Sequence, residues 1–124
     1  MPYDSWTAIH VPAANTQATA TKASAGVGLR NVCMSITVTL AATATAPTAV
    51  NVTINLIDGA SGGTTYLWRT TISLPATAGA TTGFAITGLA IRGTADTAMT
   101  VEFSAAGGSN TIESVSMSGV TERG

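Results

Sequence analysis

The sequence has little of what most catalytic and metal-binding sites are made from. Its 124 residues include one cysteine and one histidine, and charged residues make up only 9% of the chain. With Cys33 alone, no internal disulfide can form, and the ligands for a zinc site are too few. The sequence also lacks an apolar run of the roughly 18 residues that a membrane-spanning helix needs, so we expect no membrane partner.

The opening residues contain neither the basic segment nor the apolar segment of a signal peptide. We therefore expect the product to be made and assembled in the cytoplasm. The net charge is −1, and Arg30, Arg69 and Arg92 are too scattered along the sequence to predict a basic patch. This composition gives no electrostatic attraction to nucleic acid, so we expect no nucleic-acid partner.

Threonine and alanine dominate the composition, with 23 and 22 copies. An ordinary domain has roughly 25% charged residues, so hydroxyl and methyl groups must form much of this surface. One interpretation is a soluble β domain with small side chains. The other is a homo-oligomer or assembly subunit whose surface is covered by neighbours, since low charge favours association.

Residues 31–40 form the strongest strand pattern of the chain. Apolar residues occupy the even positions, and small or hydroxyl-bearing residues lie between them. Because successive side chains of a strand point to opposite faces, this pattern predicts one apolar face and one hydroxyl face. The predicted core face consists of Val32, Met34, Ile36, Val38 and Leu40.

The alternation returns in later segments that are separated by glycine-rich turns. Residues 50–74 predict a β-hairpin with its turn near Asp58 and Gly59. A shift of the apolar phase at Gly88 predicts a β-bulge or a strand that crosses between sheets. Seven to eight strands and no helical pattern predict an all-β fold, an antiparallel β-sandwich or jelly roll with an extended N-terminal arm.

The arm is predicted from the first residues of the chain. Residues 1–15 combine large apolar side chains with Pro2 and Pro12, which oppose regular structure. We therefore predict an arm at 1–15 and a β-sandwich domain at 16–124. The candidate anchors of this arm to a neighbouring subunit are Tyr3, Trp6, Ile9 and Val11. The alternative is that Trp6 and Ile9 fold back on their own domain.

The residues that could support catalysis do not form a recognisable constellation. His10 has no carboxylate partner apparent in the sequence, and Cys33 lies in the middle of a strand, where packing is its expected role. Glu102 and Glu113 lie on predicted strands, and we expect them to face solvent or a partner. The sequence therefore predicts no catalytic site, no cofactor, no metal site and no enzymatic activity.

Two stretches resemble a known group of proteins. They are residues 23–33, which lead into the strongest strand, and residues 93–103. With Asp58-Gly59 and Leu67-Trp68 between them, residues 16–118 resemble small Ala/Thr/Gly-rich virion structural proteins of tailed phages and prophages. The resemblance implies a capsid decoration (cement) protein on the virion, with the major capsid protein or another virion protein as partner. It favours a trimer and carries over no catalytic residue.

Three functions compete on this basis. The first is a decoration protein that stabilises the head of a bacteriophage, assembled in the host cytoplasm. The second is a tail, neck or fibre-base subunit. The third is a carbohydrate-binding β-sandwich module, in which Tyr66 and Trp68 would form a shelf for a sugar ring. Against the third, the alternation of the strand places Trp68 on the core face.

Overall fold

The computed structural model describes residues 4–124. These residues form β-strands and loops without a helix, and so contain no helix that could cross a membrane. The strands are β1 (Ser5–His10), β2 (Thr19–Lys22), β3 (Leu29–Ala42), β4 (Val50–Asp58), β5 (Tyr66–Leu74), β6 (Thr81–Ile86), β7 (Ile91–Arg92), β8 (Met99–Phe103) and β9 (Thr111–Arg123). The predicted all-β fold is confirmed.

The strands form two antiparallel sheets that pack face to face. In the first sheet the order is β1-β9-β3-β6, and β7 also pairs with β3. In the second sheet the order is β2-β8-β4-β5. The chain crosses between the sheets several times, and contacts between the sheets place β1 beside β2 and β5 beside β6. Eight strands in this order form a jelly roll, with the two-residue β7 as a short addition.

The interior between the sheets is filled by the alternating apolar side chains. Ile36 of β3 and Ile54 of β4 are fully buried in one core cluster, as their positions in the pattern predict. The predicted hairpin is also confirmed, since β4 and β5 pair from Val50 opposite Leu74 to Ile57 opposite Tyr66. The strand pattern therefore locates the core correctly over most of its length.

Val32 and Met34 are the exceptions in the predicted core face, since Val32 is buried outside the core cluster and Met34 is partly exposed. The pairing of β3 with β9 shifts between Cys33 and Ser35, and this bulge exchanges the faces of the residues before it. Cys33 is consequently buried in the core, while Met34 is 37% exposed. The Met34 carbonyl accepts the Leu89 N–H at 2.9 Å, in the break between β6 and β7. The irregularity predicted at Gly88 is therefore opposite a bulge of β3, and the chain stays in the same sheet.

The predicted extended arm is wrong for residues 5–10. They form β1, which pairs with β9 over its whole length, from Ser5 opposite Val120 to His10 opposite Val115. Strand β9 thereby gains a partner for backbone groups that would otherwise lie at an open sheet edge. The β-sandwich thus includes residues that a domain boundary at residue 15 would separate from it.

Candidate functional site

The four candidate anchor residues do not share one environment. Tyr3 lies outside the described residues. Trp6 is half-buried and packs against the core of its own domain, whereas Ile9 and Val11 are 65% and 63% exposed. The alternative that the segment folds back on its domain thus applies to Trp6, and Ile9 and Val11 remain available for a partner.

A glycine on the neighbouring strand provides the space in which the Trp6 ring lies. It lies opposite Gly119 in the β1–β9 pair. A methyl group built on Gly119 would come within 2.5 Å of Trp6 Cζ2 and 2.0 Å of the Val32 carbonyl oxygen. A larger residue at position 119 would collide with both the indole ring and the β3 backbone, so glycine is what allows Trp6 to lie here.

His10 and Cys33 both serve the fold. The backbone N–H of Thr19 donates to His10 Nδ1 at 2.9 Å, which connects β1 to β2. The Cys33 thiol is fully buried, and this burial raises its pKa to about 11. A thiol in that state is a poor nucleophile, because the thiolate is the reactive form.

The two strand glutamates are buried, which corrects the prediction that they face solvent or a partner. Glu102 points to the outer side of the second sheet, where the loop after β4 covers it. Its carboxylate accepts hydrogen bonds from the Thr19 hydroxyl, the Ser61 hydroxyl and the Gly62 N–H. The loop after β4 therefore supplies two of the donors that this buried carboxylate requires, and β2 supplies the third.

Glu113 points between the two sheets and is 1% exposed. Buried residues alternate with more exposed ones along β9 without interruption, and this regular alternation turns Glu113 inward. Its Oε1 accepts the Ala18 N–H at 2.9 Å, while its buried Oε2 has no partner among the described residues. Desolvation raises the pKa of this carboxyl to about 7, although hydrogen bonds from the backbone of Ala18 and Gly107 act in the opposite direction.

Eight of the eleven charged residues lie at the same end of the jelly roll. We call it the cleft end, after the cleft described below. Strand pairing and hydrogen bonds bring together residues from both sheets there. They are Asp4, Lys22, Arg30, Asp58, Arg92, Asp96, Glu122 and Arg123. Four are basic and four are acidic, so this end has many charges and no net charge.

Several charged groups at the cleft end are already paired. Arg30 and Arg92 both form salt bridges with Glu122, at 2.7 Å and 2.6 Å. The hydrogen bond from Arg92 and that from Arg30 lower the pKa of the Glu122 carboxyl. Asp58 and Asp96 accept hydrogen bonds from Thr94 and Ser24 respectively, so these carboxylates organise loops.

The opposite end, which we call the neutral end, is built from uncharged loops. They comprise residues 11–15, 43–49, 75–80 and 104–110, which contain no charged side chain. Backbone hydrogen bonds connect three of these loops at Thr43, which donates to the Asn110 carbonyl and accepts from the Gly79 N–H. Asn15 is joined to the same end by its bond to the Thr111 carbonyl. The molecule therefore has two ends of opposite chemical character.

A cleft of about 630 Å³ opens at the cleft end, between the edges of the two sheets. Its walls come from four segments, namely the start of β1 with the residue before it, the end of β2 with the loop after it, the first residue of β3, and the end of β9. The lining residues are Asp4, Ser5, Trp6, Lys22, Ser24, Ala25, Leu29 and Thr121. Sequence reasoning missed this site because no local pattern connects these segments, and only the pairing of β1 with β9 brings them together.

Tyr66 and Trp68 do not form the aromatic shelf that a carbohydrate-binding module would require. Trp68 is half-buried and packs edge-to-face against Phe84, with ring centroids 5.8 Å apart. Tyr66 is 40% exposed, and the Arg69 guanidinium lies 4.1 Å from the centre of its ring. Trp68 therefore belongs to the core, as the alternation predicts, and Arg69 occupies a face of Tyr66.

Comparison with known proteins completes the description of this site. No family model matches the chain, and no curated protein matches it. Eight chains of solved structures do match. One of them, described as "CBM4 structure and function", is 18% identical with a TM-score of 0.40, and the match covers 95% of this chain and 71% of that chain. The fold assigned above rests on the strand order of the chain itself, and the proposals below rest on its side chains.

Proposed function

We propose that this chain is a non-catalytic structural subunit of a tailed-phage virion, of the capsid decoration type. It docks through a contact surface that consists of Ile9, Val11 and the adjoining loops of the neutral end. The observation that carries this proposal is the exposure of these two large apolar side chains beside an end without charge. The resemblance of residues 23–33 and 93–103 to virion proteins supports the same assignment.

The contact surface has the chemistry of a protein–protein interface. Burying an exposed isoleucine or valine stabilises a complex by about 1.5–3 kcal/mol per side chain. Charged groups lose favourable hydration when an interface forms, and the neutral end has none to desolvate. Ile9 projects from β1, the edge strand of the first sheet, which lies beside β2 without sheet pairing between the two strands.

The partner in this proposal is the major capsid protein or another virion protein, with the subunits arranged as a homo-oligomer, a trimer by resemblance. A tail, neck or fibre-base position is the alternative within the same class. Copy number separates the two, because decoration requires many copies per particle and a tail component requires few. Densitometry of purified particles measures that number.

Docking is tested by replacing the apolar pair. The double variant Ile9→Ser/Val11→Ser is added to particles that lack this protein, and bound subunits are counted against wild type. We expect apparent affinity to fall at least about tenfold, since about 1.4 kcal/mol corresponds to that factor. Val27→Ser is the matched control, because Val27 is 90% exposed but lies in the loop between β2 and β3, away from the neutral end. Equal occupancy of the double variant and wild type would contradict the proposal.

A further inference from the structure

We propose that the cleft at the cleft end binds a neutral carbohydrate. The observation behind this proposal is that Asp4 and Lys22 line the same cleft without forming a salt bridge with each other. Its volume of about 630 Å³ falls in the usual range of small-molecule sites, roughly 300–1,000 Å³. This binding site is independent of the contact surface at the neutral end.

The two charges retain hydrogen-bonding capacity for a ligand. Among the described residues, Lys22 Nζ donates one hydrogen bond, to the carbonyl of the adjacent Ala23 at 3.2 Å. An ammonium group has three donors, so two remain. The Asp4 carboxylate accepts no hydrogen bond from a described residue, whereas its backbone carbonyl accepts the Thr121 N–H. The cleft thus presents a strong acceptor and a strong donor in one space.

Carbohydrate is the ligand class that matches this set of groups. Each sugar hydroxyl donates and accepts, so adjacent hydroxyls can bond to Asp4 and to Lys22 at once. A ligand with charge of one sign would be attracted by one of these two groups and repelled by the other, so the pair gives no net preference for an ionic ligand over a neutral one. The indole of Trp6 contributes an apolar wall, and a sugar ring has apolar C–H groups that pack against such a surface.

The walls of the cleft are held in position before any ligand arrives. Gly119 leaves the space in which the Trp6 ring lies. The Ala23 carbonyl also accepts a hydrogen bond from the side-chain amide of Asn31, which is fully buried. This bond fixes the chain directly after Lys22. Preorganised walls reduce the conformational entropy that binding must overcome.

The test uses the intrinsic fluorescence of Trp6. The chain has two tryptophans, so Trp68→Phe leaves Trp6 as the reporter and keeps an aromatic partner for Phe84. This protein is titrated with maltose, cellobiose and lactose, and we expect saturable binding of at least one of them. In the same background, Asp4→Asn and Lys22→Met should each weaken association at least about tenfold, as expected for lost hydrogen bonds to charged groups.

The control is Arg69→Met, which removes a charge from the shallow depression that Thr53, Thr70 and Thr71 line on the second sheet. Its affinity for the sugar should stay within about twofold of the background protein, because Arg69 lies outside the cleft. Urea unfolding of every variant shows that each is folded under the titration conditions. The proposal is overturned if no sugar changes the signal, or if binding survives both cleft substitutions. A response to zwitterionic glycine without a response to sugars would also overturn it.

Discussion

The buried carboxyl of Glu113 should make the stability of this protein depend on pH in an unusual direction. Burial raises the pKa of Glu113 from its ordinary 4.5 to about 7. The folded state therefore holds a proton that the unfolded state has released between pH 4.5 and about 7. The contribution of this group to stability is complete below pH 4.5 and is lost as pH rises through 7.

The size of the effect follows from the shift. A shift from 4.5 to about 7 corresponds to about 3 kcal/mol of unfolding free energy, at about 1.4 kcal/mol per unit. Glu113→Gln removes the titration and keeps the size of the side chain. Above pH 7 we expect the variant to be more stable than wild type by up to about 3 kcal/mol, because wild type must then bury a carboxylate. Near pH 4.5 the advantage should disappear.

Urea unfolding of both proteins at several pH values between about 4.5 and 8.5 measures the difference directly. The comparison cancels the contributions of groups such as Glu122, whose pKa is lowered and whose stabilisation is lost as pH falls. Glu102→Gln is the matched control. It replaces the other buried strand glutamate, whose carboxylate accepts three hydrogen bonds, and should lower stability at neutral pH. A difference between Glu113→Gln and wild type that stays constant across this range would refute the reasoning.

Three further predictions concern the fold. Ile36→Ala should lower the unfolding free energy by about 2–5 kcal/mol, and Thr37→Ala on the exposed face by less than half as much, as measured by urea unfolding. Gly119→Ala should lower the unfolding free energy by about 1–3 kcal/mol, because the added methyl group collides with Trp6 and with the Val32 carbonyl oxygen. A smaller loss would show that both the indole and the Val32 backbone move aside. Deleting residues 1–10 should abolish or severely weaken folding, because the deletion removes an edge strand and uncovers the core. Circular dichroism during heating would detect this loss. An unchanged melting temperature would contradict the prediction.

The strand alternation predicts the core well where pairing is regular and fails where it is not. Ile36, Val38 and Leu40 occupy the core as predicted, whereas Met34 does not. The difference is the bulge between Cys33 and Ser35, which is set by pairing between distant strands. Local sequence records the faces of a regular strand and does not record where a partner strand shifts its register.

The burial of Glu113 and the position of β1 escape prediction for related physical reasons. A glutamate in a strand resembles a member of the polar face, and only the regular alternation of β9 shows that it points inward. Strand β1 pairs with the other end of the chain, and the space for Trp6 is provided by Gly119. The cleft depends on the same long-range pairing, so neither it nor its lining could be located from neighbouring residues.

The separation of charged and uncharged ends has a consequence for how the molecule responds to salt. Strand β9 has 13 residues, and a strand of that length spans about 40 Å at roughly 3.3 Å per residue. The Debye screening length is about 8 Å at physiological ionic strength. Electrostatic effects at the cleft end are therefore screened well before they reach the loops at the other end. A salt titration can thus report which end of the molecule takes part in an association, since contacts through the uncharged loops should be almost unaffected by ionic strength.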